Sequence, residues 1–140
     1  SLYGNGANKS NGINVIIDYA LKNKVLAYKG SKRAARKYIH VLDACRACAK
    51  SIGKKYDNKY LNITGKNKIK ITKLLDILSD ITKISKKNIF YKNYPNVGHY
   101  ISEPRKFIPR HGMNLNLIKY QDFKKELFNQ YLERKQKYKL

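Results

Sequence analysis

Acidic residues are scarce in this chain. Nine Asp and Glu stand against 31 Lys and Arg in 140 residues, a formal net charge of +22. That deficit invites a nucleic-acid partner. Arginine, however, is scarce as well: six residues, against 25 lysines scattered along the whole length. Arginine is the residue expected at bidentate phosphate and base contacts. The lysines also come with many Asn, Ile and Tyr residues, as an AT-rich coding sequence would produce. A dedicated lysine-rich nucleic-acid-binding module is therefore the second reading, while nonspecific polyanion binding follows from the long-range field alone. Cysteine is limited to Cys45 and Cys48, too few for a disulfide framework, so a redox-neutral cytoplasmic setting is expected. Long apolar runs are missing. Residues 15–17 typify the longest, far short of the roughly 20 residues that cross a bilayer, so no membrane partner is expected. The opening SLYGNG has no charged region followed by an apolar run, which excludes a signal peptide there; it reads as a cut edge inside a longer protein.

What is present suffices for a core. Hydrophobic residues make up 42% of a chain of single-domain length, so one α/β unit is expected. Gly and Asn in LYGNGANKSNG tolerate positive φ and predict a loop leaving a strand. Ile13, Ile16, Ile17, Ala20 and Leu21 recur at helical spacing up to Asn23. VLAY (25–28) predicts a strand, followed by a basic loop containing Gly30. KYIHV (37–41) alternates as a strand does. It leads into a helix over residues 44–52, capped by Asp43, whose Ala44, Cys45, Ala47, Cys48 and Ile52 suit close packing against a sheet. KYLNIT (59–64) predicts a second strand, and IKI (69–71) alternates before a helix capped by Thr72 with Leu74, Leu75, Leu78 and Ile81 on one face. Pro95, Pro104 and Pro109 make residues 83–119 irregular apart from a short strand at 89–91. A last helix, capped by Gln121 or Asp122, is expected to turn Phe123, Leu127, Phe128, Tyr131 and Leu132 inward, with KQKYKL as a frayed basic tail.

The ordered set of pieces is more specific than any one of them. Leu2-Tyr3-Gly4-Asn5-Gly6, the helix end Ala20-Leu21-Lys22-Asn23, residues 25–28, RKYIHVLDA (36–44) and residues 61–74 follow one another with sensible spacing. This order resembles the C-terminal, substrate-binding half of the extended short-chain dehydrogenase/reductase family, the NAD-dependent nucleotide-sugar epimerases and dehydratases. Their pattern runs vYGpG, alkg, plxvyGdG, qxRdfihVxDva and yNiGxgxxitixel. The resemblance covers roughly residues 2–81 and, more weakly, FIPRHG (107–112) with the closing helix. Three features depart from it: Lys37 stands where the family has aspartate, Thr64 where it has glycine, and the loop before Arg36 is one residue longer.

The resemblance implies a single substrate-binding domain over residues 1–140: a family-like core to residue 82, an irregular segment over 83–119, and a C-terminal helix with its basic tail. Its fold class would be α/β, an α+β-like fragment with a small mixed sheet and flanking helices. NAD or NADP would be held by a Rossmann domain outside this chain, which contains no GxxGxxG turn. The family's catalytic Tyr-x-x-x-Lys pair lies upstream of the vYGpG segment. Tyr28/Lys32, Tyr120/Lys124 and Tyr131/Lys135 fit that spacing, but about two matches are expected by chance in a chain so rich in both residues. No catalytic residue is therefore expected here.

What the resemblance leaves to these residues is recognition of a UDP- or dTDP-sugar. Arg36 would clamp the pyrophosphate through paired charge-assisted hydrogen bonds. Val25 and Tyr28 would lie beside the base, Asn62 near a phosphate, and Arg105 at a second phosphate or ribose contact. The full-length protein would be a homodimer, as is common in the family. Cys45-Arg46-Ala47-Cys48 is read as packing rather than redox or metal chemistry, and His40, His99 and His111 complete no familiar zinc spacing. The opening loop lacks a P-loop lysine and is read as a family turn. A non-catalytic relative that uses the fold as a scaffold is the third reading.

Overall fold

The computed structural model describes residues 1–59, 61–92, 113–114 and 120–139. The elements in chain order are β1 (Leu2–Tyr3), α1 (Gly12–Asn23), β2 (Leu26–Lys29), β3 (Ala35–Lys37), β4 (Ile39–His40), α2 (Val41–Ser51), β5 (Leu61–Asn62), β6 (Lys68–Lys70), α3 (Ile71–Thr82), β7 (Ile89–Lys92), β8 (Met113–Asn114) and α4 (Phe123–Lys137). The strands form four two-stranded pairs: β1 with β4, β2 with β7 and β5 with β8 in parallel, and β3 with β6 antiparallel. The described residues thus form a mixed helix-and-strand fold with small sheets, as expected, divided into two-stranded pairs.

The helix ends show why the elements begin where they do. Asn11 caps α1, its side-chain oxygen accepting from the amides of Ile13 (3.1 Å) and Asn14 (3.4 Å). Lys24 closes the helix in the left-handed region and donates its amide to the Ala20 carbonyl at 2.9 Å. The predicted strand over 37–41 is divided. Lys37 ends β3, Ile39 and His40 pair with β1, and Val41 already opens α2. The cap of α2 is accordingly His40, whose Nδ1 accepts from the Leu42 amide at 3.3 Å, and not Asp43. Thr72 likewise caps nothing. The amide of Ile71 donates to the Ala34 carbonyl at 2.9 Å, so the residue just before β3 fixes the start of α3 two residues earlier than a Thr72 cap would. Asp122 caps α4 as expected, accepting from the Lys125 amide at 2.7 Å. Residues 89–91 pair as β7, whereas Arg105, His99, His111 and the FIPRHG segment lie outside the described residues.

The main core lies among α1, α3, α4 and β2. It contains Ile13, Ile16, Ile17, Ala20 and Leu21 from α1, Leu74, Leu75 and Leu78 from α3, Leu26 and Leu127. Two sequence expectations fail here for related reasons. Phe128 and Leu132 do not turn inward, being 43% and 39% exposed, because α4 directs Gln130 and Arg134 into the interior instead. Those polar residues are buried against partners on α1: Gln130 Nε2 donates to Asn14 Oδ1 at 2.6 Å, and the Arg134 guanidinium forks onto Asp18, with Nε at 2.6 Å from Oδ1. A buried polar group that is fully paired costs little, so the seam takes the place of an apolar face. The tail is not frayed over its first residues either. The helix runs to Lys137, and the Tyr138 ring lies under Lys22 and Arg134.

On α2 the correction is larger. Only Asp43 and Ala47 are buried; Ala47 packs with Tyr56, Leu61 and Ile63 in a small second cluster. Cys45 and Cys48 are exposed free thiols, and Ile52 is 83% exposed. Of the residues chosen for close packing, Ala47 is buried as expected, while Cys45, Cys48 and Ile52 face outward.

Candidate functional site

Arg36 occupies the middle of β3, paired with Ile69 of β6 and half-buried. Tyr28 lies on β2 in register with Tyr91 of β7. Both line one cavity of about 260 Å³, to which Ile13, Ile16 and Ile71 bring apolar lining and which Asn11, Gly12 and Tyr38 also border. The start of α1 thus borders the same space as Arg36. Both features favour an anion: the guanidinium carries full charge, and a helix N-terminus carries partial positive charge. Tyr28 and Tyr38 add flat, partly apolar walls suited to a ring. The Tyr28 ring holds its place because residue 30 is glycine. Gly30 has φ +151, and a Cβ there would approach the Tyr28 ring to 2.8 Å.

The remaining predicted residues divide. Val25 lies one residue before β2 and does not line this cavity. Asn62, on β5, lines a different and larger space of about 900 Å³ with Tyr3, His40, Asp43, Lys66 and Gln121. Tyr38 borders both spaces, its ring packed 5.6 Å from Phe123 and 6.4 Å from Tyr3 between centroids. Burial pushes the Tyr38 phenol up to about 12; the Arg36 charge acts against that shift and Tyr28 adds to it. Tyr3 is raised further, by burial first and then by the charges of Asp43, Glu126 and Asp122.

The larger space is built from polar residues that the sequence presents as unrelated. His40 is a buried strand residue, as its alternation suggests. With Nδ1 turned to the Leu42 amide, its Nε2 faces Glu126 at 3.5 Å. Asp43 is 1% exposed; one carboxylate oxygen accepts from the Gln121 amide at 2.9 Å and the other from Arg46 at 3.3 Å. Tyr120 donates to the Thr64 carbonyl at 2.9 Å. Gly65 lies so close to the Tyr38 carbonyl that a Cβ would come within 1.7 Å of its oxygen, which accounts for glycine after Thr64. No local pattern announces these contacts, since Asp43 and Gln121 are far apart in the chain. Asn11, by contrast, carries a local signal that the sequence reading above left unused, an Asn just before the Ile13 periodicity.

The opening loop turns at Gly4 (φ +125) and Gly6 (φ +79), but its amides do not form an open cradle. The Gly4 amide donates to Gln130 Oε1 at 3.1 Å and the Gly6 amide to the Glu133 carboxylate at 3.2 Å. Among the described residues no group of three or more His, Cys, Asp or Glu could hold a metal ion, and no helix is long and apolar enough to cross a membrane.

No protein-family model and no curated protein matches the chain. Solved structures do. The dTDP-glucose 4,6-dehydratase of Bacillus anthracis, solved with NAD, superposes with a TM-score of 0.76 at 20% identity over 99% of this chain and 43% of its own. The UDP-glucuronic acid 4-epimerase of Bacillus cereus, solved with UDP-glucuronic acid and NAD, gives 0.72 at 19% identity over 99% of this chain and 44% of its own. DesIV, a dTDP-glucose 4,6-dehydratase of Streptomyces venezuelae solved with NAD and TYD, gives 0.72 at 16% identity over 97% and 42%. The chain spans less than half the length of these proteins. Its fold is that of a part of these structures, the extended short-chain dehydrogenase/reductase fold.

Proposed function

We propose that this chain is the substrate-recognising part of an NAD(P)-dependent nucleotide-sugar epimerase or dehydratase, and that it binds a UDP- or dTDP-sugar. The observation that carries this reading is the meeting of Arg36, Tyr28 and the start of α1 around one cavity with apolar lining. A guanidinium beside a helix N-terminus suits a pyrophosphate, and the tyrosines suit the attached base or sugar ring. Val25 contributes backbone polar groups along the strand that leads into Tyr28. Asn62 acts on the turn after β5 or on a phosphate from the larger space, and Arg105 supplies a second phosphate or ribose contact. The glycines of this sequence occur nowhere in a GxxGxxG arrangement. They do not fit a dinucleotide turn, so NAD or NADP belongs to another part of the polypeptide, and so does the proton-transfer pair. The full-length protein is a cytoplasmic homodimer in this reading.

Isothermal calorimetry of the full-length protein with UDP- and dTDP-sugars tests the proposal. One class should bind, and Arg36→Ala should weaken it about 10- to 100-fold, the equivalent of about 1.5–3 kcal/mol for hydrogen bonds to a charged group. Absence of binding to either class, or an Arg36→Ala protein that binds as wild type, would sink it.

A further inference from the structure

Cys45 and Cys48 stand three residues apart on α2, on the side of the helix away from the buried Asp43 and Ala47, and both are exposed free thiols. Exposure removes the packing role and leaves two soft nucleophiles on one helix face. Residues three apart on a helix hold their Cβ atoms about 5–6 Å apart. A disulfide needs about 3.5–4.5 Å between the same atoms, so a direct S–S bond would require this helix to distort. An ion between the two sulfurs makes up the difference with the helix intact.

The surroundings select the ion. Among the described residues no third His, Cys, Asp or Glu joins the pair to make a larger ligand group. Asp43, the nearest acid in sequence, has one carboxylate oxygen on the Gln121 amide and the other on Arg46. Zinc, which takes four ligands in a tetrahedron, is therefore poorly served by these side chains. Two thiolates alone suit a soft d10 cation that accepts two ligands in line, and among biological metals that softness selects Cu(I). The neighbouring side chains of Leu42, Ala49 and Ile52 offer no hard oxygen to a competing ion. Charge acts in the same direction. Two thiolates and one Cu(I) leave a net negative charge, and Arg46 and Lys50 bring positive charge on the same helix, in a chain with a formal net charge of +22.

We propose that Cys45 and Cys48 form a two-coordinate site for Cu(I), separate from the cavity of Arg36 and Tyr28 and independent of the functional reading above. Binding forms two S–Cu bonds, releases two thiol protons to solvent and leaves the copper as Cu(I). Because α2 holds the second sulfur beside the first, the second bond forms intramolecularly, at an effective concentration that a free monothiol does not match.

The full-length polypeptide, reduced and kept free of oxygen, is titrated with Cu(I) against excess glutathione, with bathocuproine disulfonate as the coloured competitor. Wild type should hold one more equivalent of Cu(I) per chain than a variant carrying both Cys45→Ser and Cys48→Ser. Each single substitution should weaken that equivalent at least about tenfold. Equal copper content in wild type and the double variant overturns the proposal. So does a single substitution that leaves the affinity unchanged, which would mark binding by one thiol. A difference of half an equivalent per chain overturns it as well, since the ion would then bridge two copies.

Discussion

Tyr38 separates the two cavities, and its environment gives it a pH signature. The phenol is pushed up to about 12 by burial, from an ordinary value of 10. A group whose folded value is raised binds its proton more tightly in the folded than in the unfolded chain. Its contribution to stability is therefore complete below about pH 10 and is lost as pH rises from there towards about 12. Urea midpoints measured at about pH 9 and about pH 11.5 should fall more steeply for wild type than for Tyr38→Phe, which has no proton to lose. Equal slopes would mean that the ring does not report its burial. The same ring lies within reach of the Arg36 charge, which pulls the value down, so Arg36→Ala should move the alkaline loss to higher pH.

At the scale of elements, the decisive contact is the polar seam between α1 and α4. Arg134 is 2% exposed, and its protonated form is held chiefly by hydrogen bonding to Asp18, which raises its pKa. Removing one member of a buried ion pair strands the other. Asp18→Ala should cost about 3 kcal/mol in denaturant unfolding, while a double replacement of both residues by apolar side chains should recover much of that. A neutral Asp18→Ala would show that water reaches the guanidinium. This seam also marks where the sequence was hard to read. The α1 face was legible because Ile13, Ile16, Ile17, Ala20 and Leu21 all point to one core. In α4 the inward residues are Gln130 and Arg134, and their burial depends on Asn14 and Asp18 more than a hundred positions away. Hydropathy alone therefore selected Phe128 and Leu132. The strand-to-helix junction at Ile71 escaped for a similar reason, since the Ala34 carbonyl fixes it, and at His40 the pairing with β1 acts together with the histidine's own side-chain cap. For the site, Arg36 and Tyr28 were legible through the ordered resemblance and do meet in one cavity, whereas Asn62 belongs to another space that long-range contacts create.

The whole molecule carries a field set by 31 basic and nine acidic residues. Such a field attracts any polyanion, so duplex DNA should bind weakly and lose roughly a thousandfold in affinity between about 50 and about 200 mM salt, with no sequence preference. Fluorescence anisotropy with two unrelated duplexes checks this; a preference surviving at high salt would require a real nucleic-acid site. The α1–α4 seam has a further consequence at this scale, one that concerns time. Within this chain Asn14 and Asp18 are made more than a hundred residues before Gln130 and Arg134. Contacts so distant in sequence close late, because loop-closure entropy opposes them until the whole chain is present. Nascent chains stalled before residue 120 should be cleaved by protease within α1, and release of the last helix should be the event that protects it. In that order of events α1 waits on α4 to fold.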